Sequence, residues 1–498
     1  MISIFEKSLP YLEKTAIQSE GKSYSYNDLH LASRHFAHHL LNHLTDLNET
    51  RVAYMVNPGF DYVRVQWGIW LSGAVAVPLC LSYPLASLHY TIENSGSSII
   101  VVSPEFKETL QQLSNELSCR FIVLDDEMNE NPSQYVLPSI SEDRRALILY
   151  TSGTTNLPKG VVSTHANLNA QISSLIEAWK WESQDNTVCI LPLHHVHGVV
   201  NVVSCSLWAG ATCIFPEQKG FSAEYIFNLI KNDLLSVFMA VPTIYFKLIA
   251  HWESLNEQEQ KEISTALDKL RLMVSGSAAL PVSVMEKWKI ISNHDLLERY
   301  GMTEIGMALS NPYEENRVAG HVGFPLPGVS ARLADENNEI ISNDEPGEIQ
   351  IKGKTVFKEY WQKPEATMES FTQDGWFKTG DIAVIDEIGG FRILGRNSVD
   401  IIKSGGYKIS ALEIEEVVRA FPGISDCCVV GIENEEWGEV VAAALVLEKE
   451  PIDLQQLNDW IKTQMPAYKA PRSYSILKEL PRNAMGKVTK KDVINLIK

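Results

Sequence analysis

Arg51-Val52-Ala53-Tyr54-Met55-Val56 is a short apolar run that Asn57-Pro58-Gly59 breaks; residues 61–71 are helical in pattern, and Ala74-Val75-Ala76-Val77-Pro78-Leu79 is apolar again. Strand, helix and strand in that order make a β-α-β unit, which implies that its two strands pair in parallel. Upstream, residues 25–40 read as an amphipathic helix. Ser25 and Asp28 make a capping-box pattern, and Leu29, Ala32, Phe36, Ala37 and Leu40 fall on one face. Downstream, residues 98–102, 121–124, 146–150, 187–191, 235–240 and 271–275 are apolar strand candidates, many separated by helical segments. The pattern predicts a large α/β domain with mostly parallel sheets, in which ligands collect where strands end and loops begin.

From about residue 348 the texture changes to shorter strands with Gly turns, at 348–352 and 391–394. A helix capped by Ser410 and Glu413, strands at 427–432 and 440–447, a helix at 453–462 and a strand at 474–477 then make a small β/α unit. The expected organisation is a large N-terminal domain over residues 1–396, a hinge at 397–400 and a small C-terminal α/β domain over 401–498.

Bulk properties narrow the function. A chain of 498 residues is too long for one ordinary core. Asp and Glu outnumber Lys and Arg by 62 to 43, a formal net charge of −19 with no basic run, which disfavours nucleic-acid and anionic-membrane binding. Any nucleotide site must therefore be locally electropositive. The seven cysteines form no C-x-x-C pair, and an odd number in a long chain suits a reducing cytosol, so a cytoplasmic location is expected. Residues 1–8 lack a basic region followed by an apolar stretch, and no apolar run approaches ~18 residues, so neither a secretory leader nor a membrane span is expected.

Tyr150-Thr151-Ser152-Gly153-Thr154-Thr155-Asn156-Leu157-Pro158-Lys159-Gly160 follows one of the apolar strands. A loop of hydroxyls and glycines can turn N–H and O–H groups toward phosphate oxygens, and Lys159 adds a point charge. It does not match the GxxxxGK[ST] P-loop. A bare T-S-G-T-T could be an ordinary surface turn; the eleven-residue string is far more specific. It resembles the signature loop of the adenylate-forming superfamily, which includes acyl-CoA synthetases, adenylation domains of peptide synthetases and luciferases. Asn156 stands where the family usually has Gly, and Asn tolerates positive φ better than most residues.

Further matches carry the resemblance over nearly the whole chain. It implies that Thr151, Ser152, Gly153, Thr154, Thr155 and Lys159 hold the phosphates of ATP. Gly276, Ser277 and Ala278, in Ser275-Gly276-Ser277-Ala278-Ala279-Leu280-Pro281, are implied to line the adenine pocket. In Glu298-Arg299-Tyr300-Gly301-Met302-Thr303-Glu304, Tyr300 beside Gly301 is implied to stack on adenine and Thr303 to touch phosphate. Glu304, with Thr151, is implied to hold Mg²⁺, a cation that needs hard oxygen ligands. Asp381, in Lys378-Thr379-Gly380-Asp381, is implied to accept from the ribose hydroxyls, and Arg396 to hold ribose or phosphate. The implied pivot of the small domain is Ser398, where the family commonly has Asp or Lys. Gly405 and Gly406, in Lys403-Ser404-Gly405-Gly406-Tyr407-Lys408-Ile409, are implied to line the tunnel for the thiol of coenzyme A. Lys487, in Leu480-Pro481-Arg482-Asn483-Ala484-Met485-Gly486-Lys487-Val488, is implied to bridge carboxylate and α-phosphate as charge develops.

The implied reaction is an acid:CoA ligation in two steps: an acyl-adenylate forms from ATP with release of pyrophosphate, then a thioester forms with release of AMP. No G-x-S-x-G elbow competes with this reading. Two strings bear on the acid. Three histidines in Leu191-Pro192-Leu193-His194-His195-Val196-His197-Gly198 could suggest a metal, but the spacing resembles a metal-free family motif in which His197 borders the acyl and thiol channels. Together with the segment around Arg299 it is similar to the malonyl-CoA synthetase branch. A buried Arg299 needs an anionic partner, and the distal carboxylate of malonate or methylmalonate would supply one. The alternative is that Arg299 pairs with Glu298 or another internal acid. The rival activities are ligation of medium-chain, long-chain or aromatic monocarboxylates, loading of a separate carrier-protein thiol, a luciferase-like oxidation, and a nucleotide-binding scaffold with a dead site.

Overall fold

The β-α-β unit around residue 60 is present in the structure, a computed structural model. It describes residues 2–124, 136–151, 157–217, 220–314, 317–342, 345–405, 407–448, 451–482 and 487–497. Strand Arg51–Met55 pairs in parallel with Val75–Pro78, and helix Phe60–Leu71 joins them. Every residue from Tyr62 to Leu71 is buried, so this helix lies between layers rather than on the surface. The neighbouring helix Tyr26–Leu41 begins with the predicted capping box. Ser25 accepts from the Asp28 N–H, and the Asp28 carboxylate accepts from the Ser25 N–H at 2.8 Å.

Among the described residues the large domain holds two main sheets. In one, strands Thr15–Ser19, Thr212–Ile214, Asn186–Val188, Val237–Ala240, Leu272–Ser275 and Leu297–Met302 run parallel side by side. Antiparallel strands close both edges, giving nine in all. The other has seven: Arg145–Thr151, Val75–Pro78, Arg51–Met55, Ile99–Val102 and Arg120–Val123 are parallel, and Lys159–Thr164 and Glu359–Tyr360 are antiparallel to their neighbours. The parallel strands are apolar on both faces because helices cover both. Fully buried Trp67, Trp179 and Trp288 fill the layers between.

A four-stranded antiparallel sheet follows, in which Phe377–Ile385 pairs with Phe391–Arg396 and sets Asp381 opposite Arg396. Residues 397–400 form a turn, where the hinge is expected. Asp400 holds it: one carboxylate oxygen accepts from the Arg396 N–H at 2.9 Å and the other lies 2.7 Å from the Lys490 ammonium. The small domain beyond has its own core. Helix Ala411–Arg419, capped by Ser410, packs on the long hairpin Ile424–Asn434 and Gly438–Leu447, with Leu457 and Ile461 of helix Leu454–Gln464 beside it. No helix among the described residues is long and apolar enough to cross a membrane.

Candidate active site

The candidate residues gather at the C-terminal ends of the parallel strands. Strand Leu297–Met302 turns through residues 303–305 into the antiparallel strand Gly306–Ser310, so Thr303 and Glu304 sit in a hairpin turn. Glu304 is buried, and the Tyr360 hydroxyl donates to its carboxylate at 3.0 Å. Burial raises the Glu304 pKa, while the Tyr360 hydrogen bond, Arg396 and Lys159 oppose the rise. Lys159 reaches the same place, with its ammonium 4.9 Å from the centre of the Tyr360 ring. Thr151 lies opposite Lys159 in the antiparallel pair that flanks the Gly-rich segment. Ser152, Gly153, Thr154, Thr155 and Asn156 of that segment, and Gly406, lie outside the described residues.

Asp381 ties the next group together. It accepts from the Tyr300 hydroxyl at 2.6 Å and from Arg396 Nε at 3.0 Å, while its own N–H donates to Thr379 Oγ1 at 3.1 Å. Burial works against the Arg396 charge, but Asp381 outweighs it and raises that pKa. Tyr300 follows Arg299 in the strand, and Gly301 faces the returning strand so closely that a Cβ there would lie 2.1 Å from the Gly306 carbonyl.

Arg299 occupies a chamber of its own. It is 4% exposed, and burial alone lowers its pKa to about 9, which leaves it cationic at neutral pH. Its guanidinium lies against Gly276, where a Cβ would come within 2.5 Å of Cζ. Ser277 has φ +69, the left-handed region that a non-glycine residue seldom enters. That turn sets its hydroxyl 3.1 Å from His197 Nδ1 and 3.4 Å from Arg299 Nη2. Among the described residues no carboxylate pairs with Arg299, and its Nε has no hydrogen-bond partner. Glu298 is occupied elsewhere. It accepts from the Gly320 N–H at 3.2 Å and from Leu280, and burial pushes its pKa up to about 8.

His197 opens a π-helix, His197–Ser204. Burial first, then Arg299 and His195, hold its pKa well below the usual value; His195 is lowered to about 3 and His194 to about 4. All three imidazoles are therefore neutral at pH 7.

Lys487 stands exposed at the mouth of this site. Desolvation by the protein around it, then Arg396 and Arg299, lower its pKa, and Asp381 opposes. Ala278, in the turn after strand Leu272–Ser275, is exposed. Gly405 is not part of this assembly. It sits in the exposed turn between strands Ile401–Ser404 and Tyr407–Ser410, its N–H donates to the Trp437 carbonyl at 2.9 Å, and the Trp437 ring packs against its Cα.

Tyr360 was not among the residues that the motifs pointed to. It reaches Glu304 because its short strand pairs with Lys159–Thr164, a pairing between segments about two hundred residues apart with no motif to mark it. Glu298, which the sequence offered as a possible partner of Arg299, fastens Gly320 and Leu280 instead.

Parallel-sheet strand ends, a carboxylate beside a cation cluster and a lysine that feels Arg396 and Arg299 suit a nucleotide-activating site, and the chain belongs to the AMP-binding enzyme family. Residues 5–361 match the family described as AMP-binding enzyme, and residues 413–487 its C-terminal domain. The mitochondrial malonate–CoA ligase of Xenopus laevis is 41% identical over 533 residues, covering 99% of this chain and 92% of that protein. ATP-bound MatB from Rhodopseudomonas palustris is 31% identical and superposes with a TM-score of 0.89, covering 99% of this chain and 98% of that one. For apo MatB from the same organism the values are 32% and 0.82, over 100% and 99%.

Proposed function

We propose that this chain is an ATP-dependent, AMP-forming ligase that joins malonate or methylmalonate to coenzyme A. The observation that carries the choice of acid is Arg299, a cation buried against Gly276, Ser277 and His197 with no carboxylate paired to it among the described residues. Burying an unpaired cation is costly, and a second carboxylate on the substrate relieves that cost through charge-assisted hydrogen bonds. Neutral His197 and Ser277 add hydrogen bonds without competing charge. The relationship to a malonate–CoA ligase supports the same choice.

In the first step a carboxylate oxygen of the acid attacks the α-phosphorus of ATP, and the bond to the leaving pyrophosphate breaks. Little covalent work falls to the protein; its tasks are positioning and charge neutralisation. Arg299 holds the distal carboxylate, so the other carboxylate points to the phosphate side. Lys487 and Arg396 face the charge that grows there, and Tyr300 and Asp381 hold adenine and ribose. Glu304 offers a hard oxygen beside the phosphate site that fits Mg²⁺, whose charge would offset that of the phosphate oxygens. In the second step the thiol of coenzyme A attacks the acyl carbon, AMP leaves, and the thiol proton passes to solvent. The domain limits that go with this reading are 1–396, 397–400 and 401–498, with Ser398 as pivot. The seven free thiols favour a reducing compartment, which we take to be the cytoplasm, and cell fractionation distinguishes it from the mitochondrion named for the Xenopus relative.

Release of AMP and pyrophosphate from Mg·ATP, measured with malonate, methylmalonate, acetate, octanoate and benzoate in the presence and absence of coenzyme A, tests this. Malonate or methylmalonate is expected to lead, with turnover dependent on coenzyme A. Arg299→Leu is expected to abolish malonate use and leave ATP binding intact; unchanged malonate kinetics in that variant would sink the assignment. Preference for a monocarboxylate would keep the ligase and discard the chamber's role. AMP release that ignores coenzyme A would point to a carrier protein.

A further inference from the structure

Helix Val282–Ser292 starts badly by its own sequence. The residue before it is Pro281, which has no side-chain group to cap the first turn and makes no cap hydrogen bond. The N–H groups of Val284 and Met285 bond back to the Pro281 carbonyl. The two in front of them, on Val282 and Ser283, have no partner within the helix. Both are met from the other domain. Glu416, on helix Ala411–Arg419 of the small domain, accepts from the Val282 N–H at 2.8 Å and also from the Ser283 N–H. A carboxylate at a helix N-terminus also meets the positive end of the helix dipole. The helix so capped grows directly out of the turn that carries Gly276 and Ser277 beside Arg299.

We propose that Glu416 is a positioning residue for the adenylation step: it seats the small domain on the large one by capping helix Val282–Ser292 in trans, and it lets go when the small domain moves to present its thiol-side face. The inference rests on the two-step reading above. Its ground is that Lys487 stands at the mouth of the site while Gly405, on the same domain, is exposed and packed on Trp437. Only the Lys487 face is turned to the site here. When Gly405 approaches, the small domain leaves its present seat, and Glu416 leaves Val282 with it. The contact is built to be reversible. Glu416 is only partly buried; burial first and then Glu286 work against its charge, whereas the Val282 and Ser283 N–H groups and Arg419 favour it. A second tie across the same seam, Lys408 to Glu336 at 2.7 Å, is exposed on both sides and screened by solvent.

Glu416→Ala is expected to slow malonate-dependent ATP–pyrophosphate exchange by about tenfold, while thioester formation from supplied acyl-adenylate stays within about twofold of the parent enzyme. Glu416→Gln, which can still accept a hydrogen bond, should recover part of the loss. Adding Pro281→Ser to Glu416→Ala separates docking from capping. The serine restores a local cap but not the contact between domains, so exchange should remain slow. Hydrogen exchange at the Val282 and Ser283 amides, read on the full-length enzyme without substrates, should quicken in Glu416→Ala whichever acid the enzyme uses. A parent enzyme that activates no dicarboxylate would count against the choice of malonate and leave the amide measurement to decide on Glu416. Equal losses in both half-reactions, unchanged exchange and amide protection, or full rescue by Pro281→Ser would overturn the proposal.

Discussion

Glu298 and Arg299 are neighbours in the chain with opposite settings. Successive residues of a strand face opposite ways, so one side chain enters the chamber beside His197 while the other fastens Gly320 and Leu280 behind it. Burial raises the Glu298 pKa from 4.5 to about 8, so the carboxyl is largely protonated in the folded protein at pH 7, whereas the unfolded chain would have released that proton. Its contribution to stability is therefore full below the unfolded value and is lost as pH rises through about 8. Glu298→Gln removes this dependence and keeps a neutral acceptor. Thermal unfolding across that window should show the parent losing ground to the variant as pH rises, by about a few degrees in Tm. Parallel curves would mean that Glu298 is ionised throughout. The sequence displayed both residues inside one motif and left open whether they pair. Motif letters identify the chemistry of each side chain, but the face of the strand, and hence the partner, comes only from the sheet.

At the scale of elements, the legible parts were those written in local rules. The strands and helix of the β-α-β unit, the capping box of Ser25 and Asp28 and the strand after which Gly276 turns are each written in short local runs of residues. The π-helix at His197, the hairpin that carries Glu304 and the strand pairing that brings Tyr360 to it depend on tertiary packing, for which no local pattern exists. The turn at Gly276 can be tested as an element. A methyl group there would lie 2.5 Å from Arg299 Cζ and 2.6 Å from Nη1, which are the groups expected to receive the distal carboxylate. Gly276→Ala is expected to push the guanidinium aside and raise KM for malonate by about tenfold or more, with KM for ATP nearly unchanged. Steady-state kinetics with each substrate varied in turn read this directly. A rise in the ATP constant instead would mean that the turn serves the adenine and not the acid.

At the scale of the whole molecule, one small domain carries two chemical faces, and they have different surroundings. Lys487 lies where it feels Arg396, Arg299 and Asp381, while Gly405 lies in an exposed turn against Trp437. The sequence marked both segments and the turn between the domains, but it gave no sign of which face is presented, because that is a property of how two separately folded cores are seated. Opposite substitutions should therefore separate the half-reactions. Lys487→Ala removes a cation from the phosphate side and is expected to cut ATP–pyrophosphate exchange by about a hundredfold or more, leaving the transfer from supplied acyl-adenylate to coenzyme A largely intact. Gly405→Ala acts on the other face. Gly405 has φ +55 and a Cβ there would come within 2.8 Å of the Trp437 ring, so alanine is both strained and crowded. That variant is expected to keep its exchange rate and to slow transfer to the thiol by about tenfold. Quenched-flow assay of the two half-reactions on the same two proteins decides the matter. If each variant fails in a different half, one site is served by two faces in turn; if both variants lose both halves together, the faces work at once and the small domain does not need to leave its seat.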